Sequence, residues 1–459
     1  MRNAFRLVLT VCLAMGPVAA QSETLADALI AAYRNSNLLE QNQAVLRAAD
    51  EDVAIAVSAL QPVVQFTAQS QWSNQESRFG GDTDGLVNLL SLNAEMTIYD
   101  FGRSALAIEI AKETVLATRE SLVSVEQSVL LDAVTAYTDV RLATEIVDLR
   151  QSNLRLITQE LRAARDRFEV GEITRTDVSV AEARLAGSRA QLAAAEGDLL
   201  VAREAFKAAT GAYPGNLQPL PPTPRTARTQ EEAVGVALRT HPAVRQGQHQ
   251  VVVSSLGIER ARAEFDPTIV AQGSISARDT GLNNAFLGNQ SLSLSLNQTI
   301  YSGGRRAALL RKAIAQDEAT RASLLQAGVQ IEQAVGNAWA NILITTASIE
   351  ANSRQITAAQ EAFDGIREEA TLGSRTTLDV LDAEQELLNA RAAKLQSEAQ
   401  RYVGVYRLLS AMGLLTADHL GLGVPAYDPA AYYNTVKDAP LHSAQGEALD
   451  RILGKIANE

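Results

Sequence analysis

The chain holds one cysteine, Cys12, in 459 residues, so no intrachain disulfide can brace it. Its four histidines, His241, His249, His419 and His442, show no metal-ligand spacing. No glycine-rich phosphate loop and no serine in a nucleophile elbow occurs, and the pair in Ser302-Gly-Gly304 reads as a strand-to-helix turn. These gaps exclude the common enzyme classes, ATP hydrolysis among them, and imply no cofactor. Basic charge is also short: a net charge of −12 argues against nucleic acid, which needs a positive face. After residue 20 there is no run of 18 apolar residues, so no transmembrane helix is available. An exported chain without such a helix can still cross a membrane as a β-barrel.

Export is written at the start. Arg2 and Arg6, the apolar run Leu7 to Met15, and Val18-Ala-Ala20 form a secretory signal over residues 1–20, cut before Gln21. Its removal leaves the mature chain two charges more acidic. Cys12 sits inside this segment after Val11, not after the small residue that lipid-anchor sites carry, and reads as a signal-peptide cysteine lost on cleavage.

What is present is a repeat. Tyr99-Asp-Phe-Gly-Arg103 returns as Tyr301-Ser-Gly-Gly-Arg305, and Gly171 and Gly211 return as Gly373 and Gly413, each 202 residues later. Upstream, Thr24, Ala28, Ala59 and Pro62 match Thr229, Ala233, Glu264 and Pro267 at an offset of 205. The three-residue difference falls between Pro62 and Tyr99. The expected organisation is a signal (1–20), a first repeat (21–215), a linker (216–228), a second repeat (229–420) and a tail (421–459).

Each repeat opens with a helical stretch, about 23–60 and 229–264, closed by proline. Two alternating segments follow, in hairpins over 62–100 and 266–302. Val64, Phe66, Ala68 and Trp72 oppose Gln65, Thr67, Gln69 and Gln71; Leu292, Leu294, Leu296 and Ile300 oppose Ser291, Ser293, Ser295 and Asn297. Period two predicts a sheet with one oily and one wet face, either an outer-membrane barrel wall or a half-buried hairpin of a soluble domain. The turn-rich loops Gly80–Gly85 and Thr280–Asn284 join the strands.

Residues 103–169 and 305–370 contain no proline and predict helices about 100 Å long. Val140, Val147, Leu154, Leu161 and Phe168 recur in sevens, as do Val335, Ile342, Ile349, Ile356 and Phe363, which predicts supercoiled packing. Each helix reverses at Gly171 or Gly373, and a shorter one returns to Gly211 or Gly413. The tail, with Pro425, Asp428-Pro429, Tyr432-Tyr433 and Pro440, reads as irregular chain before a short helix at 444–457.

Four strands cannot close a barrel, and an open sheet in lipid leaves unpaired backbone at two edges. Several chains must then share one barrel. Two copies give eight strands and a filled interior; three give twelve and the beginning of a lumen, which the Gln-, Ser- and Asn-rich faces favour.

This arrangement resembles the TolC-like outer-membrane efflux and secretion channel family over roughly residues 22–425. The sharpest pieces are the run from Leu372 to Arg391 and its counterpart from Val170 to Val178. The resemblance implies a mainly α chain with β hairpins, assembled as a homotrimer with a 12-stranded outer-membrane β-barrel continued by a periplasmic α-helical coiled-coil barrel. It implies outer-membrane lipid around the barrel and, as partners, a periplasmic adaptor protein and an inner-membrane transporter. The expected activity is an exit duct for type I protein secretion or for efflux, with a proton-driven pump in the latter case. The tip run most resembles the secretion branch. A periplasmic coiled-coil adaptor without a pore is the alternative.

Asp379 and Asp382, three apart on one helix face, are either a solvated face or two anionic rings; the resemblance places the family's pore constriction there. It matches the family's gate links with Thr176, Asp177 and Arg375, where Arg375 would donate to Thr176 or pair with Asp177. The family's tyrosine partner is matched by Ala370, which has no hydroxyl. Val170, Gly171, Leu372 and Gly373 match the adaptor-contact tips.

Overall fold

The computed structural model describes residues 23–75, 83–279, 286–425 and 427–439. The signal with Cys12, Gly80 to Asp82 of the first hairpin loop, the whole second loop (Thr280–Asn284) and the tail helix expected at 444–457 lie outside the described residues, while Thr83, Asp84 and Gly85, expected in the first loop, already belong to a strand. The order is α1 (Leu25–Asn35), α2 (Asn37–Ser58), β1 (Val63–Gln75), β2 (Thr83–Tyr99), α3 (Arg103–Glu169) and α4 (Arg175–Thr210). The second repeat gives α5 (Gln230–Thr240), α6 (Pro242–Ala263), β3 (Thr268–Asp279), β4 (Phe286–Asn297), α7 (Arg305–Thr371) and α8 (Thr377–Ala411), and α9 (Pro429–Val436) follows.

Three expectations need correction. The opening helix of each repeat is two helices. Ser36, in extended backbone, ends α1, and its hydroxyl accepts from the Leu39 amide to begin α2. His241 ends α5 because the proline after it disfavours helical backbone. The second hairpin stops at Asn297, well short of residue 302. The tail is not wholly irregular, since Asp428 caps a helix that opens on Pro429, a ring whose fixed φ suits the first helical position.

The described residues fall into two compact units. One comprises 42–122, 242–328 and 427–439. It holds a four-stranded antiparallel sheet in the order β1-β2-β3-β4. Its register aligns Phe66, Leu92 and Ile275 across three strands on one face, and Gln65, Asn93 and Ser274 on the other. The apolar face is bare: Phe66, Leu92, Ile275, Leu292, Leu294 and Leu296 are all exposed. Each strand pair passes into its long helix by a left-handed turn. Phe101 takes φ +56° where the second repeat has Gly303, and the strain is met locally, because Asp100 accepts from the amides of Gly102 and Ser104. In the same unit Leu46, Val53 and Val115 form a core on which Tyr427 and Tyr433 of the tail pack. Arg119 donates to the Pro429 carbonyl and stacks over Tyr433.

The other unit comprises 23–41, 123–241 and 329–425. It is helical, and the sevenfold positions Val140, Val147, Leu161, Val335 and Phe363 are buried there, while Phe168 near the reversal is exposed. The repeat recurs in detail. Asn35 donates to the Thr210 carbonyl at 2.7 Å, and its counterpart Thr240 donates to the Met412 carbonyl at 2.7 Å. Gly413 is required twice over: its φ is +74°, and a Cβ there would stand 2.6 Å from the His241 backbone.

Candidate functional site

The candidate site is the end of the helical unit where α3 turns into α4 and α7 into α8. Both reversals use one device. Gly171 and Gly373 adopt left-handed backbone, and the amides of Glu172 and Ser374 reach back to the carbonyls of Arg167 and Glu369. A reciprocal cap then starts each returning helix: Thr174 with Asp177, and Thr376 with Asp379. The turns carry Val170, 72% exposed, and Leu372, 80% exposed, so each tip presents a bare hydrophobe.

Asp177 and Asp379 are engaged in these caps. Asp379 accepts from the Thr376 amide at 2.9 Å and hydroxyl at 2.8 Å, and these bonds, with Arg375 nearby, hold its carboxyl below the usual aspartate range. The equivalent bonds from Thr174 do the same for Asp177. Within the chain Arg375 reaches neither Thr176 nor Asp177; it donates to the Glu369 carboxylate at 2.8 Å. Thr176 is exposed, and Ala370 is buried among Phe363, Val380 and Leu387.

Asp382 has a partner that the sequence did not suggest. Arg184 of α4 donates to its carboxylate at 2.5 Å, joining the returning helices of the two repeats. Two residues further along α8, Glu384 is 7% exposed, and its Oε2 has no hydrogen-bond partner among the described residues. It lines two adjoining clefts of about 280 and 190 Å³ together with Asn153, whose Oδ1 is likewise buried and unpartnered. Burial, and then the charge of Glu160, push the Glu384 carboxyl up to about 8, against the pull of Arg367. Spacing alone could not show this, because Glu384 sits in the charged run Asp382-Ala-Glu-Gln-Glu386 and reads there as solvated. Among the described residues no group of three acidic, histidine or cysteine side chains converges as a metal site.

The family model described as "Outer membrane efflux protein" matches residues 29–212 and 233–414, one segment in each repeat. The chain is 36% identical over 423 residues to the outer membrane efflux protein BepC of Brucella suis biovar 1, covering 92% of each chain. It is 26% identical over 405 residues to the proteases secretion protein PrtF of Dickeya chrysanthemi, covering 84% of this chain and 87% of that one. The structure is similar to the Campylobacter jejuni CmeC outer membrane channel, with a TM-score of 0.77 at 15% identity, covering 90% of this chain and 89% of that one.

Proposed function

The chain belongs to the outer membrane efflux protein family, whose members are outer-membrane channels and not enzymes, and from that premise we propose that three copies form one export duct. The observation that carries this is the sheet. Four strands expose a continuous apolar face on one side and a Gln-, Ser- and Asn-rich face on the other. The apolar face suits lipid and the polar face a wet lumen. In hydrocarbon the edges β1 and β4 need partners, and a ring of three chains supplies them with twelve strands.

In this reading Asp379 and Asp382 ring the periplasmic constriction, and Thr176, Asp177 and Arg375 belong to the links between neighbouring helices that hold it shut. Arg375 exchanges its Glu369 contact for the neighbour's Thr176 or Asp177 as the end closes. The exposed Val170 and Leu372, beside Gly171 and Gly373, are the tips that meet a periplasmic adaptor carrying an inner-membrane transporter. The identity to BepC supports efflux as the cargo class, and the similarity to PrtF supports protein secretion as the second reading.

The test is native mass spectrometry of the detergent-extracted protein, followed by conductance in planar bilayers. A trimer that opens discrete channels supports the reading. A monomer, or a trimer without conductance, overturns it.

A further inference from the structure

Arg103 and Arg305 stand at the same point of the repeat, each the first residue of a long helix. Their surroundings differ. Arg103 Nη2 donates to the Ala263 carbonyl at 2.9 Å and to the Asp266 carbonyl at 3.3 Å, and its Nε lies 3.6 Å from the Glu264 carboxylate. The start of α3 is thereby clamped to the end of α6, and β2 and β3, the strands next to these two ends, pair with each other.

The repeat offset turns Ala263, Glu264 and Asp266 into Ser58, Ala59 and Gln61 at the end of α2. That end is built the same way: the Leu60 amide donates to Val57 and the Gln61 amide to Ser58, as Phe265 donates to Arg262 and Asp266 to Ala263. Yet Ser58, Ala59, Leu60 and Gln61 are all exposed, whereas Ala263 is 6% exposed. Arg305 is exposed as well, and its side chain makes no hydrogen bond or ion pair with the described residues. The strands show the same asymmetry. β2 runs to Tyr99 because Ile269 pairs with it, while β4 stops at Asn297 and leaves Ile300 96% and Tyr301 86% exposed. The two carbonyl acceptors that the first arginine meets inside the chain are duplicated and left open for the second; its carboxylate partner, Glu264, is not, being Ala59 in the first repeat.

We infer that Arg305 grips the carbonyls of Ser58 and Gln61 on a second copy of this chain, repeating between chains the clamp that Arg103 makes within one. This rests on the shared-barrel reading. The neighbour's β1 extends β4, and Tyr301 comes opposite Val64 as Tyr99 lies opposite Ile269. Ala59 offers no carboxylate, so the clamp between chains consists of two carbonyl acceptors to a guanidinium, without the ion pair that Glu264 adds.

The test is site-directed crosslinking of the full chain in outer membranes with a short bismaleimide, read on denaturing gels. Arg305→Cys with Gln61→Cys gives dimer and trimer bands that neither single variant gives. Arg103→Cys with Asp266→Cys crosslinks within the monomer only. Absence of the intermolecular bands, with the second pair reacting and the native mass trimeric, overturns the clamp and leaves the shared barrel standing. A monomeric native mass overturns both. Should the double variant fail to assemble, Arg305→Ala supplies the reading: its trimer dissociates in SDS at a lower temperature than wild type. Unchanged dissociation overturns the clamp.

Discussion

Arg184 and Asp382, 198 residues apart in sequence, share a hydrogen-bonded ion pair of 2.5 Å between α4 and α8. Their side chains remain 42% and 55% exposed, so the pair adds little to stability, about 0.2–1 kcal/mol. Its consequence lies in charge. With Arg184 in place, Asp382 is compensated, and the narrow end of the proposed duct is less anionic than a count of aspartates implies.

Arg184→Ser is therefore expected to raise cation selectivity in planar bilayers, read as a reversal-potential shift under a KCl gradient. Asp382→Asn is expected to cancel that shift in the double variant. Unaltered selectivity in Arg184→Ser would place Asp382 outside the ion path.

The apolar sheet face carries a second prediction. Leu292, opposite Gly273, is expected to face hydrocarbon, where an arginine near the midplane costs roughly 2–4 kcal/mol. Leu292→Arg should reduce the fraction of trimer in outer membranes, while Ser293→Arg, one residue along and opposite Gln272, should assemble normally. Equal yields of the two variants would remove the assignment of faces.

Much of this architecture was legible because its signals are periodic. Alternation from Val64 to Trp72 marked the sheet faces, and sevens from Val140 to Leu161 marked a buried seam. The breaks at Ser36 and His241 carried local signals, a capping serine and a following proline, that helical periodicity on both sides obscured. Asp428-Pro429 was likewise a helix start, yet it lay among residues that also suit loops. Arg184 and Glu384 were not legible at all. The partner of Arg184 depends on how two repeats pack, and the burial of Glu384 depends on neighbours contributed by α3 and α7.

The caps of the returning helices give a third prediction. Thr376→Ala removes the hydroxyl that both receives the Asp379 amide and binds the Asp379 carboxylate. Loss of such a cap costs about 1 kcal/mol and frays the first turn. Amide hydrogen exchange over residues 377–381 should accelerate roughly five-fold, in line with about 1 kcal/mol, and the released Asp379 should titrate closer to the ordinary aspartate range. Exchange as slow as in wild type would show that packing, not the cap, holds this turn.

Glu384 makes stability depend on pH in a direction opposite to that of most carboxylates. Its ordinary value is 4.5, and in the fold burial and Glu160 raise it to about 8. Between these values the folded state holds a proton that the unfolded state has released. Stability from this group is thus complete below about 4.5 and is lost as pH rises through about 8, at up to about 1.4 kcal/mol per pH unit. The groups facing it fix the sign: Glu160 on α3 opposes its ionisation, and Arg367 on α7, 3.9 Å from Glu160, compensates only in part. Glu384→Gln keeps the volume and removes the ionisation. The variant should melt close to wild type at pH 5 and clearly above it at pH 8 in detergent-solubilised protein. Melting curves that stay parallel across that range would mean that Glu384 is ionised and solvated in the assembled protein, with its two clefts open to water.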